Sequence, residues 1–390
     1  MKYITKTVWV LSMVSLFTDM ASEMLYPVMP IYLESIGFSI LFIGFLEGMA
    51  EATAGLSKGY FGKYSDQMGI RAPFVRWGYA LSAISKPIIA FFTFPLWILF
   101  ARTMDRLGKG LRTGARDAIL SDEATPATKG KIFGFHRSMD TLGAVLGPML
   151  ALTYLYFYPK HYTTLFFIAF APGLIAIAFS FLLTNKKKRE PATAAFKPVS
   201  FFAFLNYWKD CHPEYRKLVS GLLLFTLINS SDIFLLLKMK EAGLNDTSII
   251  FIYIFYNLVY AVFSFPIGIL ADNIGMKKVF LSGLVFFTIV YIGMGLNKNL
   301  MIYYLLFFLY GLYAASTEGI AKAWITNISE QKDTATAIGT YTAFQSILTL
   351  LASSLAGAIW FTFGAEATFL VSGFVTIVII IYLARFPFKK

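Results

Sequence analysis

Apolar stretches about 20 residues long recur from one end of this 390-residue chain to the other. That is the length an α-helix needs to cross the hydrocarbon core of a bilayer. In lipid, each backbone N–H and C=O of such a segment must be satisfied internally. The stretches therefore specify helices and leave little room for another architecture. Only 14% of the residues are charged, against about a quarter in soluble domains, so the fold class is an all-α membrane protein. Twelve spans are predicted, at 7–33, 40–62, 72–92, 95–118, 131–156, 161–184, 217–239, 247–271, 276–296, 300–326, 332–358 and 365–386. The opening MKYITK leads into the first span without a small-residue cleavage site, which reads as a retained helix rather than a signal peptide.

Basic residues fix the expected topology. Lys2, Lys6, Lys63, Arg71, Arg76, Lys129, Lys131, the run Lys186-Lys187-Lys188-Arg189, Lys277, Lys278, Lys332, Arg385, Lys389 and Lys390 fall on one side. The other side has Lys160, Lys238, Lys240 and Lys298. The positive-inside rule then puts both termini and the central loop in the cytoplasm, as in a multi-pass protein of a bacterial-type inner membrane. The net charge of +12 reflects these loops and their contact with anionic lipid, so nucleic acid is not an expected partner. A single cysteine, Cys211, excludes an intramolecular disulfide. No zinc pattern, phosphate loop or dinucleotide fingerprint occurs, so no cofactor is expected.

The longest polar break, 185–216, separates an N-terminal six-helix bundle (1–184) from a C-terminal one (217–390). Its FFAFLNYW portion has two readings, a helix lying at the membrane interface or a solvated loop. One loop pattern, G-x3-D-x2-G-x-[RK], occurs once in each half. Between spans 2 and 3 it places Gly62, Asp66, Gly69 and Arg71; between spans 8 and 9 it places Gly268, Asp272, Gly275 and Lys277. Glycines at these points permit a tight turn and close helix approach. The Asp can cap a helix start or pair with a basic residue.

On these duplicated loops the chain resembles the major facilitator superfamily. The resemblance implies two pseudo-symmetric six-helix bundles of inverted repeats that work by alternating access, as a functional monomer moving a small molecule or ion. It also implies a cytoplasmic latch formed by Asp66 and Arg71, with Asp272 and Lys277 as the second copy. Ile70 departs from the pattern, standing where a basic residue is common.

Ionisable groups within spans are costly, about 2.5–3.5 kcal/mol each at mid-helix, and so face a cavity or a partner. Span 1 places Asp19 and Glu23 one turn apart, and span 2 does the same with Glu47 and Glu51. Paired carboxylates of this kind suit a proton-coupled carrier; the competing reading is structural salt bridging. Span 4 carries Arg102, Arg106, Lys109, Thr113 and Arg116 as a stripe, flanked by Asp105, Arg112 and Asp117. Three readings stay open for it: neutralising the carboxylates, binding an anionic substrate, or anchoring at the cytoplasmic interface. Lys86 in span 3 either snorkels or pairs inward. The second half is sparser, with Asp232 near Asn229 in span 7 and a Glu318–Lys322 pair one turn apart in span 10.

Span 5 reads FGFHRSMDTLGAVLGPML over residues 133–150. His136, Asp140, Gly143 and Gly147 share a stripe about 60° wide, so His136, Arg137 and Asp140 are expected to form one inter-helix cluster with span 4, either a proton relay or part of the gate. His136–Asp140 also has the spacing of a catalytic pair, but no nucleophile matches it, so no enzyme is expected. Together with SLFTDMASEMLYPVMP and GFLEGMAEATAG, this stretch resembles a bacterial branch that includes nickel-resistance and drug or siderophore exporters. GAVLGP, ending at Pro148, resembles the antiporter signature of drug–proton exchangers, and its small residues permit close helix packing. The resulting expectation is proton-coupled export of a small drug-like or siderophore-like solute. The alternatives are export of a divalent metal, bound by Asp19, Glu23, Glu47 and Glu51 with His136 or Asp140, and a non-transporting sensor or scaffold.

Overall fold

A computed structural model describes residues 4–26, 28–38, 40–183, 204–244, 246–297 and 299–385. Residues 185–203 of the central break, its whole charged run included, lie outside the described residues. The described residues form fourteen α-helices and one short 3-10 helix, with no β-strand among them. In order the helices are α1 (Lys6–Glu23), α2 (Met29–Ser35), α3 (Ile40–Met68), α4 (Ala72–Phe91), α5 (Pro95–Asp122), α6 (Lys129–Phe157) and α7 (Tyr162–Ser180). There follow α8 (Phe204–Asp210), α9 (Pro213–Ile228), α10 (Ile233–Glu241), α11 (Asp246–Ile274), α12 (Met276–Leu296), α13 (Leu300–Ile328) and α14 (Thr334–Arg385).

These helices make up twelve spans, but not one for one. Span 1 is divided into α1 and α2, and span 7 into α9 and α10. In span 7 the break falls on Asn229-Ser230-Ser231-Asp232, side chains that compete with the helical ladder for backbone hydrogen bonds. Spans 11 and 12 join without a loop in α14, which turns at Gly364, where φ is 87°. Only glycine adopts that backbone freely. The α8 helix takes in residues 204–208 of the FFAFLNYW stretch and packs on α3.

Six helical stretches among the described residues are long and apolar enough to cross a membrane by composition alone. The α5 helix is not one of them, because its polar stripe lowers its hydropathy.

The chain divides into two compact units. The first comprises Met1–Ala124, Met139–Asp210 and Ser329–Ala343. Within it α4 packs on α5 and α7, α3 on α5, and α1 on α7. The second comprises Thr125–Ser138, Cys211–Ile328 and Phe344–Lys390, with α12 and α11 both packed on α13. The division does not follow the sequence order of the bundles: the start of α14 packs within the first unit, and the start of α6 within the second.

Glycines set the closest helix crossings. In the first unit, a Cβ on Gly143 of α6 would stand 2.9 Å from Met20 N and 3.2 Å from Asp19 Cβ on α1. A Cβ on Gly147 would meet Met24 N at 2.9 Å. No side chain fits there without moving backbone. Gly143→Ala is expected to force α1 and α6 apart at an overpacking cost of about 1–3 kcal/mol, read as a lower apparent melting temperature in detergent. Gly357→Ala, whose Cβ would meet its nearest neighbour at 3.8 Å, serves as the neutral control.

Candidate functional site

The α1–α6 crossing concentrates the titratable groups of the first unit. With α6 drawn in by Gly143 and Gly147, Asp140 comes level with α1. Its Oδ1 accepts a hydrogen bond from the Ser15 hydroxyl, and its charge reaches the Asp19 carboxylate on α1. Arg116 Nη1 reaches Ser15 Oγ at 3.4 Å, and Arg116 Nε donates to Asp117 Oδ1 at 2.9 Å. Lys109 acts electrostatically on Asp19 and Glu23, and Arg106 acts on Glu23. The site thus joins residues from α1, α5 and α6: an acid pair, a hydroxyl bridging to a guanidinium, and two further cations. Asp19 is thirteen residues into α1 and Asp140 eleven into α6, so each lies about 15–20 Å from its helix start.

The rest of the α5 stripe turns to α4. Lys86 Nζ donates to Asp105 Oδ1 at 3.4 Å and to Ser82 O at 2.8 Å. Arg112 Nη1 donates to Ser82 Oγ at 2.6 Å, with its guanidinium 4.5 Å from the Tyr79 ring centroid. Arg102 is buried and acts on Asp105. Lys86 therefore pairs inward.

Residues 133–150 do not form the single cluster expected of their three charges. Asp140 serves the first unit, whereas Arg137 lies in the second. There Arg137 donates to the Tyr260 hydroxyl and stands 3.3 Å from Glu318 Oε2. Arg137 and Asp140 are three residues apart, but their contacts lie on different neighbouring helices. His136 is buried on α6. Glu318 has Arg137 of α6 as a partner, one that the one-turn spacing to Lys322 did not point to. Pro148 is buried inside α6.

The duplicated loops do the same physical work twice. The second glycine of each copy, Gly69 at φ 64° and Gly275 at φ 101°, supplies the left-handed turn. The first glycine lets two helices touch. A Cβ on Gly62 would lie 3.3 Å from Gly339 Cα of α14, and one on Gly268 would lie 3.2 Å from Gly134 Cα of α6. The aspartates then cap helix starts, in each case within one unit. Asp66 Oδ2 accepts from Thr336 N at 2.7 Å and Thr336 Oγ1 at 2.9 Å, at the start of α14. Asp272 accepts from Gly130 N at 2.7 Å and Lys131 N at 2.9 Å, at the start of α6. A helix N-terminus exposes unpaired N–H groups and partial positive charge, which a carboxylate satisfies.

The copies differ in their basic member. Arg71 Nη2 donates to Asp66 Oδ1 at 2.9 Å, and Arg71 Nη1 pairs with Asp122. Lys277 Nζ instead donates to Ala384 O at 2.8 Å, near the end of α14. Burial pushes the Asp66 carboxyl above the usual carboxylate range, against the pull of Arg71 and the Thr336 donors.

In the second unit, Asp232 sits at the α9–α10 break, with its Oδ1 accepting from the Tyr310 hydroxyl at 2.7 Å. The side chains of Glu47 and Glu51 lie outside the described residues. Among the described residues no three His, Cys, Asp or Glu side chains converge in a set able to hold a metal ion. Ser15, Asp122 and Thr336 were not marked by the sequence. Each is an ordinary polar residue whose importance comes from a partner at least fifty positions away. For the caps, Asp272→Ala is expected to cost about 1 kcal/mol of local stability at the α6 start. The amides of Gly130 and Lys131 should then exchange up to about tenfold faster in hydrogen–deuterium exchange.

A sequence profile of the Major Facilitator Superfamily matches residues 11–245 and 218–389. An uncharacterised MFS-type transporter of Methanocaldococcus jannaschii is 32% identical over 381 residues, covering 96% of this chain and 93% of that protein. An uncharacterised protein of Mycobacterium tuberculosis is 27% identical over 183 residues, 47% of this chain and 44% of its own length. In fold, the chain is similar to the human organic anion transporter MFSD10 (TM-score 0.80, 17% identity, 97% of this chain and 98% of that one). It is similar also to the Escherichia coli fucose:proton symporter FucP (TM-score 0.79, 11% identity, 98% of each chain). By profile, relative and fold alike, the chain belongs to the Major Facilitator Superfamily: a multi-pass membrane transporter, not an enzyme.

Proposed function

We propose that the protein is a proton-coupled exporter of a small drug-like or siderophore-like solute, working by alternating access in a bacterial-type inner membrane with both termini cytoplasmic. The observation that carries this reading is the Asp19–Asp140 pair. Asp19 and Asp140 face each other at the α1–α6 crossing, where Gly143 and Gly147 bring the two helices together. Two like-charged carboxyl groups at mid-span, with Glu23 one turn away, suit the uptake and release of one proton. Release of that proton leaves two like charges side by side, and α1 and α6 must separate or draw a cation between them. Arg116, already at Ser15, and Lys109 are the cations at hand.

Alternation then needs holds that open and close, and the Asp66 and Asp272 caps supply them. Each grips the first turn of a helix that takes part in both units. The export direction draws support from the GAVLGP stretch, whose resemblance is to antiporters.

The test is flux in proteoliposomes across a panel of divalent metals, organic cations and siderophores, with and without an imposed pH gradient. Flux of at least one compound should follow the gradient. Asp19→Asn and Asp140→Asn should each reduce the gradient-driven part about tenfold or more, since each takes one titratable carboxyl group out of the like-charged pair. Gradient-driven flux that persists unchanged in both variants and in Glu23→Gln would overturn the assignment. Binding without flux would favour a sensor.

A further inference from the structure

The second unit contains a carboxylate in an unusual setting. The α9 helix stops at Ile228 and α10 begins at Ile233, and Asp232 stands at the end of the gap. Tyr310 of α13 hydrogen-bonds to it, and its charge reaches three further tyrosines, Tyr256 of α11, Tyr291 of α12 and Tyr313 of α13. Their rings form a nearly continuous wall. Centroids are 5.0 Å apart for Tyr256–Tyr310 and 5.2 Å for Tyr310–Tyr313. Phe287 continues it, 5.0 Å from Tyr313 and 3.9 Å from Tyr291. All four tyrosines are less than 9% exposed, while Asp232 is only half-buried and so can be reached.

Depth agrees across the helices. Tyr256 and Tyr310 are each ten residues in from the starts of α11 and α13, and Asp232 is nine from the end of α10. At 1.5 Å per residue these positions are all about 15 Å from a helix end, mid-span.

What this carboxylate lacks is a cation. Among the described residues, its interactions are the Tyr310 hydrogen bond, the surrounding phenols and the charge of Glu318. Glu318 is of the same sign and is itself held by Arg137. The three acids of the first unit, by contrast, have Lys109, Arg106 or Arg116 at hand. Nearby, Asn229 donates from Nδ2 to the Tyr313 hydroxyl at 3.0 Å, and its buried Oδ1 has no donor. A carboxylate in an aromatic wall, with a spare amide acceptor beside it, is complementary to a monovalent organic cation. The charge is met by Asp232 and the apolar shell by the ring faces.

We propose that Asp232, with Tyr256, Tyr310 and Tyr313, is the docking point for the cationic head of the transported solute, an amine or quaternary ammonium. This rests on the transporter reading and narrows its substrate class. The first unit carries the proton and the second the charged head of the cargo. Asp232 discriminates by sign and the rings by apolar fit.

The experiment is isothermal titration calorimetry of the full chain in lipid nanodiscs with benzyltrimethylammonium, subtracting empty nanodiscs. Benzenesulfonate is the control of similar size and opposite charge. Saturable binding of the cation and none of the anion is expected. Asp232→Asn should weaken cation binding about tenfold or more. Tyr256→Ala should weaken it about fivefold or more, and Tyr256→Phe, which keeps the ring, by less than about twofold. Equal binding of cation and anion by the wild type, which needs no variant to fold, would overturn the site. So would cation affinity unchanged in Asp232→Asn. The two proposals fail separately. Charge-selective, Asp232-dependent binding without gradient-driven flux sinks the transport reading alone; gradient-driven flux without cation binding sinks the site alone.

Discussion

A charge inside a bundle that faces lipid cannot be left alone, and most of this structure's polar architecture follows from that. Bringing an ion out of water costs several kcal/mol unless a partner is supplied. The partners found here are of four kinds. Lys86 takes a carboxylate, Asp105. Asp140 takes the Ser15 hydroxyl, which Arg116 also reaches. Asp66 and Asp272 take the exposed amides of a helix start. Asp232 takes a phenol and a wall of rings. The first arrangement is self-sufficient and structural. The second is the one we propose to carry the coupling proton, and the last the one we propose to receive a positive charge from outside.

Glycine makes these pairings geometrically possible. At Gly143 and Gly147 the α1 and α6 backbones approach until a methyl group has no space, which is what brings Asp140 against Ser15 and Asp19. The same device recurs where Gly62 meets Gly339 and where Gly268 meets Gly130 and Gly134. There the reward is a capped helix start. In apolar surroundings helix association has no hydrophobic drive, so packing and such polar contacts carry it. A helix held by one carboxylate at its first turn is also one that can be let go, because the cap is worth only about 1 kcal/mol.

Much of this was legible in the chain itself, because the signals are local. A run of 20 apolar residues states its own length, and the spacing G-x3-D-x2-G-x-[RK] requires a turn after a helix wherever it occurs. Asp66 and Asp272 were marked as caps or ion-pair members, and Asp66 is both. The Asp19, Glu23 and Asp140 positions were marked by the cost of acid in lipid. What escaped were contacts that depend on the rotation of one helix against another. Arg137 and Asp140 look like neighbours on span 5, yet their contacts lie on different helices. Ser15 and Thr336 carry no sequence signal at all.

The sequence by itself determined the number and order of the spans, the twofold repetition of the glycine-aspartate loop, and the list of charges that would need partners. Each follows from a residue's own chemistry and from its neighbours within a turn or two. Only the tertiary structure decided which partner each charge received, that spans 1 and 7 are broken, and that four tyrosines on three helices ring Asp232. Those outcomes turn on helix rotation and on ångström-scale approach between segments up to 270 residues apart. Apolar helix surfaces constrain rotation only weakly, so no local pattern fixes it.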